Sequence, residues 1–302
     1  IMPKELGYSI SDLTFKLFVD QWSGGIFPVI QGYLYLYIPL LTMGLMSREL
    51  SSGSIKLLYS SPVTNWQIIL GKYLSMMIYG LVMMFVLVVF ILIAYFSIKD
   101  FDLPMVLSGL LGLYFLLCVY AAVGLFMSSL TSYQVVAAVL TLTVLGLLNY
   151  VGRMWQDVEF VREITYWLSI SGRADEFIRG LICSEDLLYF ILVVCLFLAL
   201  TIIRLNAVRQ KIRFVITLGR NVGVILLVCV LGFITSMPKM KVYYDATATK
   251  MNTLTPNSQE IVAKLDGGMT ITTYINALDP GASWYAAFYF LKPDMERFEQ
   301  YL

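Results

Sequence analysis

Histidine is absent from all 302 residues. That excludes His-based metal sites such as H-E-x-x-H, Ser-His-Asp triads and histidine general bases within this chain. Cysteine is scarce, with four residues and no C-x-x-C spacing, so neither a zinc site nor a disulfide framework is supported. Cys118, Cys195 and Cys229 lie inside apolar runs, where a thiol behaves as a small hydrophobe, and Cys183 sits at the edge of one. Charge is low too. Charged residues make up 14% of the chain, against about 25% in soluble domains. A net charge of +1 gives no reason to expect a nucleic acid partner. A phosphate-binding loop is also missing: Gly71-Lys72 resembles the end of one, but Trp66 occupies the place of its first glycine and Tyr73 replaces Ser or Thr. No strand precedes it, so this chain does not hydrolyse nucleotide by itself.

What the chain has in abundance is hydrophobic length. Apolar residues make up 59% of it, and the mean hydropathy is +0.78. A membrane-spanning helix needs about 20 mostly apolar residues, because each backbone amide must be satisfied inside the hydrocarbon. Six stretches qualify: Ile26–Met46, Tyr73–Phe96, Leu103–Met127, Val135–Gly152, Leu187–Ile203 and Leu218–Met237. They predict an all-α polytopic membrane domain. Only the last contains a charge, Arg220, close enough to one end to snorkel. Ionisable residues inside a membrane mark ion pathways, and these spans instead carry Gln31, Asn149 and tyrosines such as Tyr33, Tyr35, Tyr37, Tyr114 and Tyr120. Such a lining suits an apolar or amphiphilic substrate, or a route between subunits, better than ion conduction. Gly109, Gly112, Ala121, Ala122 and Gly124 suit close helix packing.

Arg204, Arg209, Lys211, Arg213 and Arg220 form the densest basic cluster, which places that loop on the cytoplasmic side. Counting back, Ser47–Lys72 and Ser128–Gln134 are cytoplasmic, and Ile1–Gly25, Ser97–Asp102 and Arg153–Asp186 face outward. The segment after the sixth span is therefore extracytoplasmic. In it, Thr255-Pro256 is a helix start and predicts a helix over Pro256–Leu265. Met269–Ile275 alternates as a half-buried strand does. Together they suggest the beginning of an α/β domain. The first residue is Ile1 rather than Met, and Leu302 falls in mid-pattern, so the chain reads as a fragment.

Two segments are neither span nor simple loop. Ser47–Gln67 mixes Leu50, Ile55, Leu57 and Leu58 with charge and serine, and Pro62 closes it. It reads either as a short amphipathic helix on the membrane face followed by a turn, or as a plain connecting loop. In 153–182, Met154, Val158, Val161, Ile164 and Leu168 recur at helical spacing, with Trp155 and Trp167 suited to the interface. Ser171-Gly172 breaks that run, and Phe177, Ile178, Leu181 and Ile182 resume it. Two short amphipathic helices at the outer surface are expected, as transport elements or as interfacial packing.

Ile38–Lys72 resembles the permeases of type-2 ABC exporters, in particular the permease of the gliding-motility-associated system. The shared pattern is a span ending P-x-x-T-M, then E-x-x-x-G-[ST], L-L, a P-V turn, and G-K. Glu49, Gly53, Ser54, Leu57, Leu58, Pro62, Gly71 and Lys72 match it. Gly44 stands where an arginine is common, and Lys56 where an acidic residue is common. Gly124–Thr131 with Gln134 is similar to the family's G-L-F-x-S-S-L-T-x-x-Q stretch, and the resemblance covers about 22–209. From about Arg213 the chain looks like the auxiliary subunit of the same system. Tyr244–Thr247, Asn252–Ser258, Ile261–Leu265 and Thr270–Tyr274 are similar to its opening.

The resemblance implies a permease domain over 1–210 lacking its first helix, an auxiliary-subunit anchor over 211–238, and a truncated extracytoplasmic α/β domain over 239–302. It implies an exporter subunit in the bacterial inner membrane, not itself an enzyme. Its coupling segment would be Arg48, Glu49, Gly53, Ser54, Lys56, Leu57, Leu58 and Pro62. No cofactor is expected in this chain, because ATP and Mg would sit on a partner ABC ATPase. The other expected partners are the lipid bilayer and a second permease, in a homodimer or heterodimer. The alternative is a non-transporting scaffold that anchors an external domain.

Overall fold

The computed structural model describes residues 12–20, 24–151, 165, 169–210, 213–236, 241–250, 252–253 and 260. Their helices run α1 (Asp12–Phe18), α2 (Ile26–Thr42), α3 (Gly44–Ser52), α4 (Ile55–Ser60), α5 (Asn65–Ser97), α6 (Leu103–Leu130), α7 (Gln134–Tyr150), α8 (Ile170–Ile178), α9 (Ser184–Gln210) and α10 (Phe214–Thr235). Two short strands, β1 (Leu181–Cys183) and β2 (Tyr243–Asp245), pair antiparallel, with Ile182 opposite Tyr244.

Among the described residues, five helices are long and apolar enough to cross a membrane: α2 continued through α3, α5, α6, α9 and α10. The fourth predicted span is the shorter α7, whose 17 residues reach about 26 Å at about 1.5 Å per residue, just under a hydrocarbon core of about 30 Å. The other helices mostly overrun their apolar stretches. Charge ends a hydrophobic run, but a helix ends only where its hydrogen bonds do. Thus α5 begins eight residues before Tyr73, at a box where the Thr64 amide donates to Gln67 Oε1 at 3.0 Å. Likewise α9 takes in Glu185 and Asp186 at one end and Arg209 at the other.

The architecture is organised about α6. In α6 72% of the most apolar window is buried inside the protein, against 11% in α10, which lies on the periphery. Small residues make that position possible. A Cβ added at Gly109 would lie 2.4 Å from the Phe27 ring, at Gly112 2.4 Å from Phe177 Cβ, and at Gly124 2.0 Å from Thr42 Oγ1. Three of the small residues singled out in the sequence thus bring α2 and α8 against α6, the close approach that drives helix association in lipid.

At one end of the bundle α8 lies on α6, with the Ser108 hydroxyl donating to the Phe177 carbonyl at 2.9 Å. Here the structure departs from the sequence reading. Ser171-Gly172 does not break α8 but lies in its first turn, while Leu181 and Ile182 are strand rather than resumed helix. Gly180, with φ of +88°, ends the helix in a conformation that suits glycine. The strand is specified by its partner β2, which lies some sixty residues away in sequence and leaves no local signal. The expected amphipathic helix over 153–168, the helix Pro256–Leu265 and the strand Met269–Ile275 fall wholly or mainly outside the described residues.

The segment after β2 folds around one carboxylate. Asp245 accepts from the Thr247 amide and hydroxyl at 2.9 and 2.7 Å, the Asn252 amide at 2.9 Å and the Thr253 hydroxyl at 3.0 Å. Partial burial by itself would raise the Asp245 carboxyl; the Thr247 bonds, then Thr253 and Asn252, outweigh it and hold the group below its ordinary value.

Packing on α6 sets a contrast between two glycines. Gly124→Ala is expected to lower the melting temperature of the detergent-purified protein by several degrees, an overpacking cost of about 1–3 kcal/mol. Gly71→Ala, which meets nothing within 4 Å, is expected to leave it unchanged or raised, since Ala favours helix over Gly by about 1 kcal/mol. Equal melting temperatures for the two variants would contradict this packing.

Candidate functional site

The run from Met43 to Thr64 turns the chain from α2 into α5 and forms an elbow at the end of the bundle opposite β1 and β2. The sequence reading has either one short amphipathic helix or a plain loop here; the structure has two short helices. Gly53, with φ of +72°, separates α3 from α4. An added Cβ at Gly53 would meet nothing within 4 Å. Glycine is therefore required by the backbone angle, not by lack of room. The Ser52 and Ser54 hydroxyls stand 2.9 Å apart across the bend, and Ser61 ends α4 in extended conformation, just before Pro62.

The predicted residues divide by direction. Arg48, Lys56, Leu57 and Pro62 are exposed, Leu57 at 74% of its surface, and they make the tip. Gly53, Ser54 and Leu58 are half-buried. Glu49 turns back toward the bundle, where its Oε1 pairs with Lys72 Nζ at 2.6 Å. The same ammonium donates to the Leu45 carbonyl at 2.6 Å, so Lys72, in the second turn of α5, holds α3 by charge and by backbone.

A second tie comes from α6. The Ser128 hydroxyl accepts from the amides of Met46 and Ser47, both at 3.0 Å, and donates to the Met43 carbonyl at 2.8 Å. Those amides belong to the first turn of α3, whose N–H groups have no partner inside the helix. Met43 occupies the cap position and has no side-chain oxygen to offer, so a serine on another helix does what a cap residue would do. Beside it, Gly124 touches Thr42, whose hydroxyl donates to Ile38 O at 2.8 Å. The P-x-x-T-M end of one sequence pattern and the G-L-F-M-S-S-L-T stretch of the other therefore meet in space.

The third tie comes from α9. Arg209 donates through Nη2 to the Tyr59 carbonyl at 2.9 Å and through Nη1 to Asn65 Oδ1 at 3.1 Å, and its guanidinium lies 5.4 Å from the centre of the Tyr59 ring. Asn65 Nδ2 also donates to Asn206 Oδ1 at 2.7 Å. Burial raises the Tyr59 phenol above its ordinary value despite the lowering by Arg209 and Arg204, so it stays neutral. Glu49 Oε2, Tyr59 Oη and Arg204 Nε are buried without a hydrogen-bond partner among the described residues.

Sequence reasoning singled out the elbow but not most of what holds it. Ser128 lay inside a stretch noted only for its resemblance, and Arg209 counted only as a charge for orientation. Asn65, Asn206 and Tyr59 carried no signal, because their roles depend on residues about 140 positions away.

Residues 14–159 match the family model described as ABC-2 family transporter protein. The match takes in the whole elbow, α5, α6 and α7. This stretch is similar to ABC-2 type permease domains. No match is found among curated proteins or among solved structures. Domains of this family are membrane subunits of transporters and not catalytic themselves, and the long apolar helices make the chain a multi-pass membrane protein. Within the matched stretch, the Ser128 cap lies at the junction of α2 and α3, where the elbow begins.

Ser128→Ala would leave two helix-end amides unpaired, at about 1–3 kcal/mol for a buried group. It is expected to lower the melting temperature by several degrees, whereas Ser129→Ala, which loses only a bond to Phe126 O on its own helix, changes it little. Indistinguishable variants would remove Ser128 from this role.

Proposed function

We propose that this chain is the permease subunit of an ATP-driven exporter, and that its elbow is where a separate ABC ATPase docks and delivers its stroke. The observation that carries this is the combination of a projecting tip with a multiply bonded base. Leu57, Lys56 and Pro62 stand out from the bundle, while the residues behind them are bonded to α5 through Lys72, to α6 through Ser128 and to α9 through Arg209. Force on such a tip reaches three long helices at once. The atoms Glu49 Oε2, Tyr59 Oη and Arg204 Nε, which have no hydrogen-bond partner among the described residues, support the same reading, since a second arrangement of the elbow would be free to bond them better.

The finer features follow the resemblance. The permease belongs to the gliding-motility-associated type, works as a homodimer or heterodimer in the bacterial inner membrane, and continues at about residue 211 into a fused auxiliary subunit. The elbow is cytoplasmic and the segment after α10 extracytoplasmic. This orientation is supported by the basic residues Arg204, Arg209 and Arg213 at the elbow end. The uncharged, tyrosine-bearing spans suit an apolar or amphiphilic substrate, or a route between subunits, better than ion conduction.

Co-expressed ATPase is expected to co-purify with the chain and to hydrolyse ATP faster in its presence. Glu49→Lys and Lys72→Glu should each abolish that stimulation without preventing membrane insertion, and the double exchange should restore a substantial part of it. Stimulation that survives both single changes would instead favour a scaffold without transport.

A further inference from the structure

The helix that carries Arg209 is fastened at its other end as well. There α9 opens with Glu185 and Asp186, and both carboxylates face Arg173 of α8, Asp186 Oδ1 at 2.5 Å and Glu185 Oε1 at 3.1 Å. Arg173 is 4% exposed, and its guanidinium also lies 4.4 Å over the Tyr189 ring of α9. A buried pair of this kind is costly to break from one side, because the partner is left charged and unsolvated. Glu185 reaches further along the chain, accepting from the Ser236 hydroxyl at 2.8 Å and pairing with Lys241 at 3.2 Å.

That same end is where the segment after α10 is seated. Ser184, the first residue of α9, exchanges two hydrogen bonds with Val242, amide to carbonyl at 3.0 Å and Val242 amide to Ser184 Oγ at 2.9 Å. Strand β2 begins at the next residue and pairs with β1, the Ala246 amide donates to Gly180 O at 2.8 Å, and the Ala248 amide donates to Asp102 Oδ2 at 2.8 Å. The segment is thus bonded to the first turn of α9 and to the strand leading into it. Between the two fastenings runs an uninterrupted helix of 27 residues, about 40 Å long, with no proline in it to bend.

We propose that α9 is a transmission arm clamped at both ends, which relays displacement of the elbow to the segment after α10, and that Arg209 is the positioning residue at its elbow end. The proposal rests on the elbow reading only for what drives the arm. A helix whose Arg209 and Asn206 are held by Tyr59 and Asn65 at one end, and whose Glu185 and Asp186 are held by Arg173 at the other, cannot tilt without moving both sets of partners. Because β2 is hydrogen-bonded to the start of α9, the segment moves with it. Coupling of this kind is carried by rigid elements and hydrogen-bond networks with discrete arrangements.

Cys183 reports the far end directly. It is 3% exposed and faces Tyr243 across the sheet. The other cysteines lie inside α6, α9 and α10, where a membrane-impermeant maleimide does not reach. The full chain with its co-expressed ATPase is reconstituted in nanodiscs, and the labelling rate of Cys183 is followed by mass. Arg209→Gln is expected to raise that rate at least about fivefold, the low end of ordinary coupling energies, and Asn206→Ala to raise it less. Val86→Ala, exposed midway along α5 and away from both fastenings, should leave it unchanged. A non-hydrolysable ATP analogue should shift the rate in the wild type and not in Arg209→Gln. If Arg209→Gln does not fold, Asn206→Ala, which removes a single bond, carries the same comparison. Wild-type labelling rates in the folded variants would overturn the arm while leaving the elbow reading intact. A rate that answers to Arg209→Gln but not to the analogue would uphold the arm and contradict the ATPase reading.

Discussion

The Ser128 hydroxyl at the end of α6 holds the backbone of the α2–α3 junction at three points, taking two amides and giving its proton to one carbonyl. Everything at this end of the molecule depends on that junction being both open and bonded. A helix that simply continued would carry α2 past the bundle. A chain that simply broke would leave the first N–H groups of α3 without partners. Pro39 weakens the last turns of α2, Met43 interrupts the helix, and a side chain from the most buried helix supplies the missing cap. The elbow is then fixed to α6 without losing the projecting tip.

Such an arrangement requires α6 to come very near its neighbours, and lipid gives no hydrophobic reason for helices to do so. The close approaches at Gly109, Gly112 and Gly124 supply dispersion contacts instead. The polar ties are then added at the two ends, where water begins. Glu49 with Lys72, Arg209 with Tyr59 and Asn65, and Arg173 with Glu185 and Asp186 all sit near helix termini, while the middle of the bundle is held by packing and by tyrosine-to-carbonyl bonds such as Tyr35 to Leu142 at 3.0 Å and Tyr73 to Cys118 at 3.3 Å. A helical bundle built this way has stiff helices and localised joints. That division suits a machine in which force arriving at one end is to be felt at the other.

How far this was legible in the sequence follows from what each feature depends on. Span number and rough position depend on apolar length alone, and Tyr73–Phe96 or Leu103–Met127 read directly as membrane helices. Their true ends do not, because helices continue through Lys72, Glu185 and Arg209 for as long as backbone bonds are met. The elbow was legible as a segment through the spacing of Glu49, Gly53 and Pro62 in a recognisable pattern. Its division into two helices turned on the single backbone angle of Gly53. The ties themselves were not legible, since Ser128, Asn206 and Arg209 act on residues some 80 to 150 positions away. Strand β1 was misread for the same reason: its hydrogen-bond partner lies beyond α10.

The central claim is that the tip of the elbow receives a separate ATPase. A photo-crosslinking amino acid in place of Leu57, which stands exposed at the tip, tests it in the membrane with the candidate ATPase co-expressed. A covalent adduct of chain and ATPase is the result expected at position 57, with none from the same probe at Tyr244 beside the opposite end. An adduct formed at Tyr244 and not at position 57 would contradict the account.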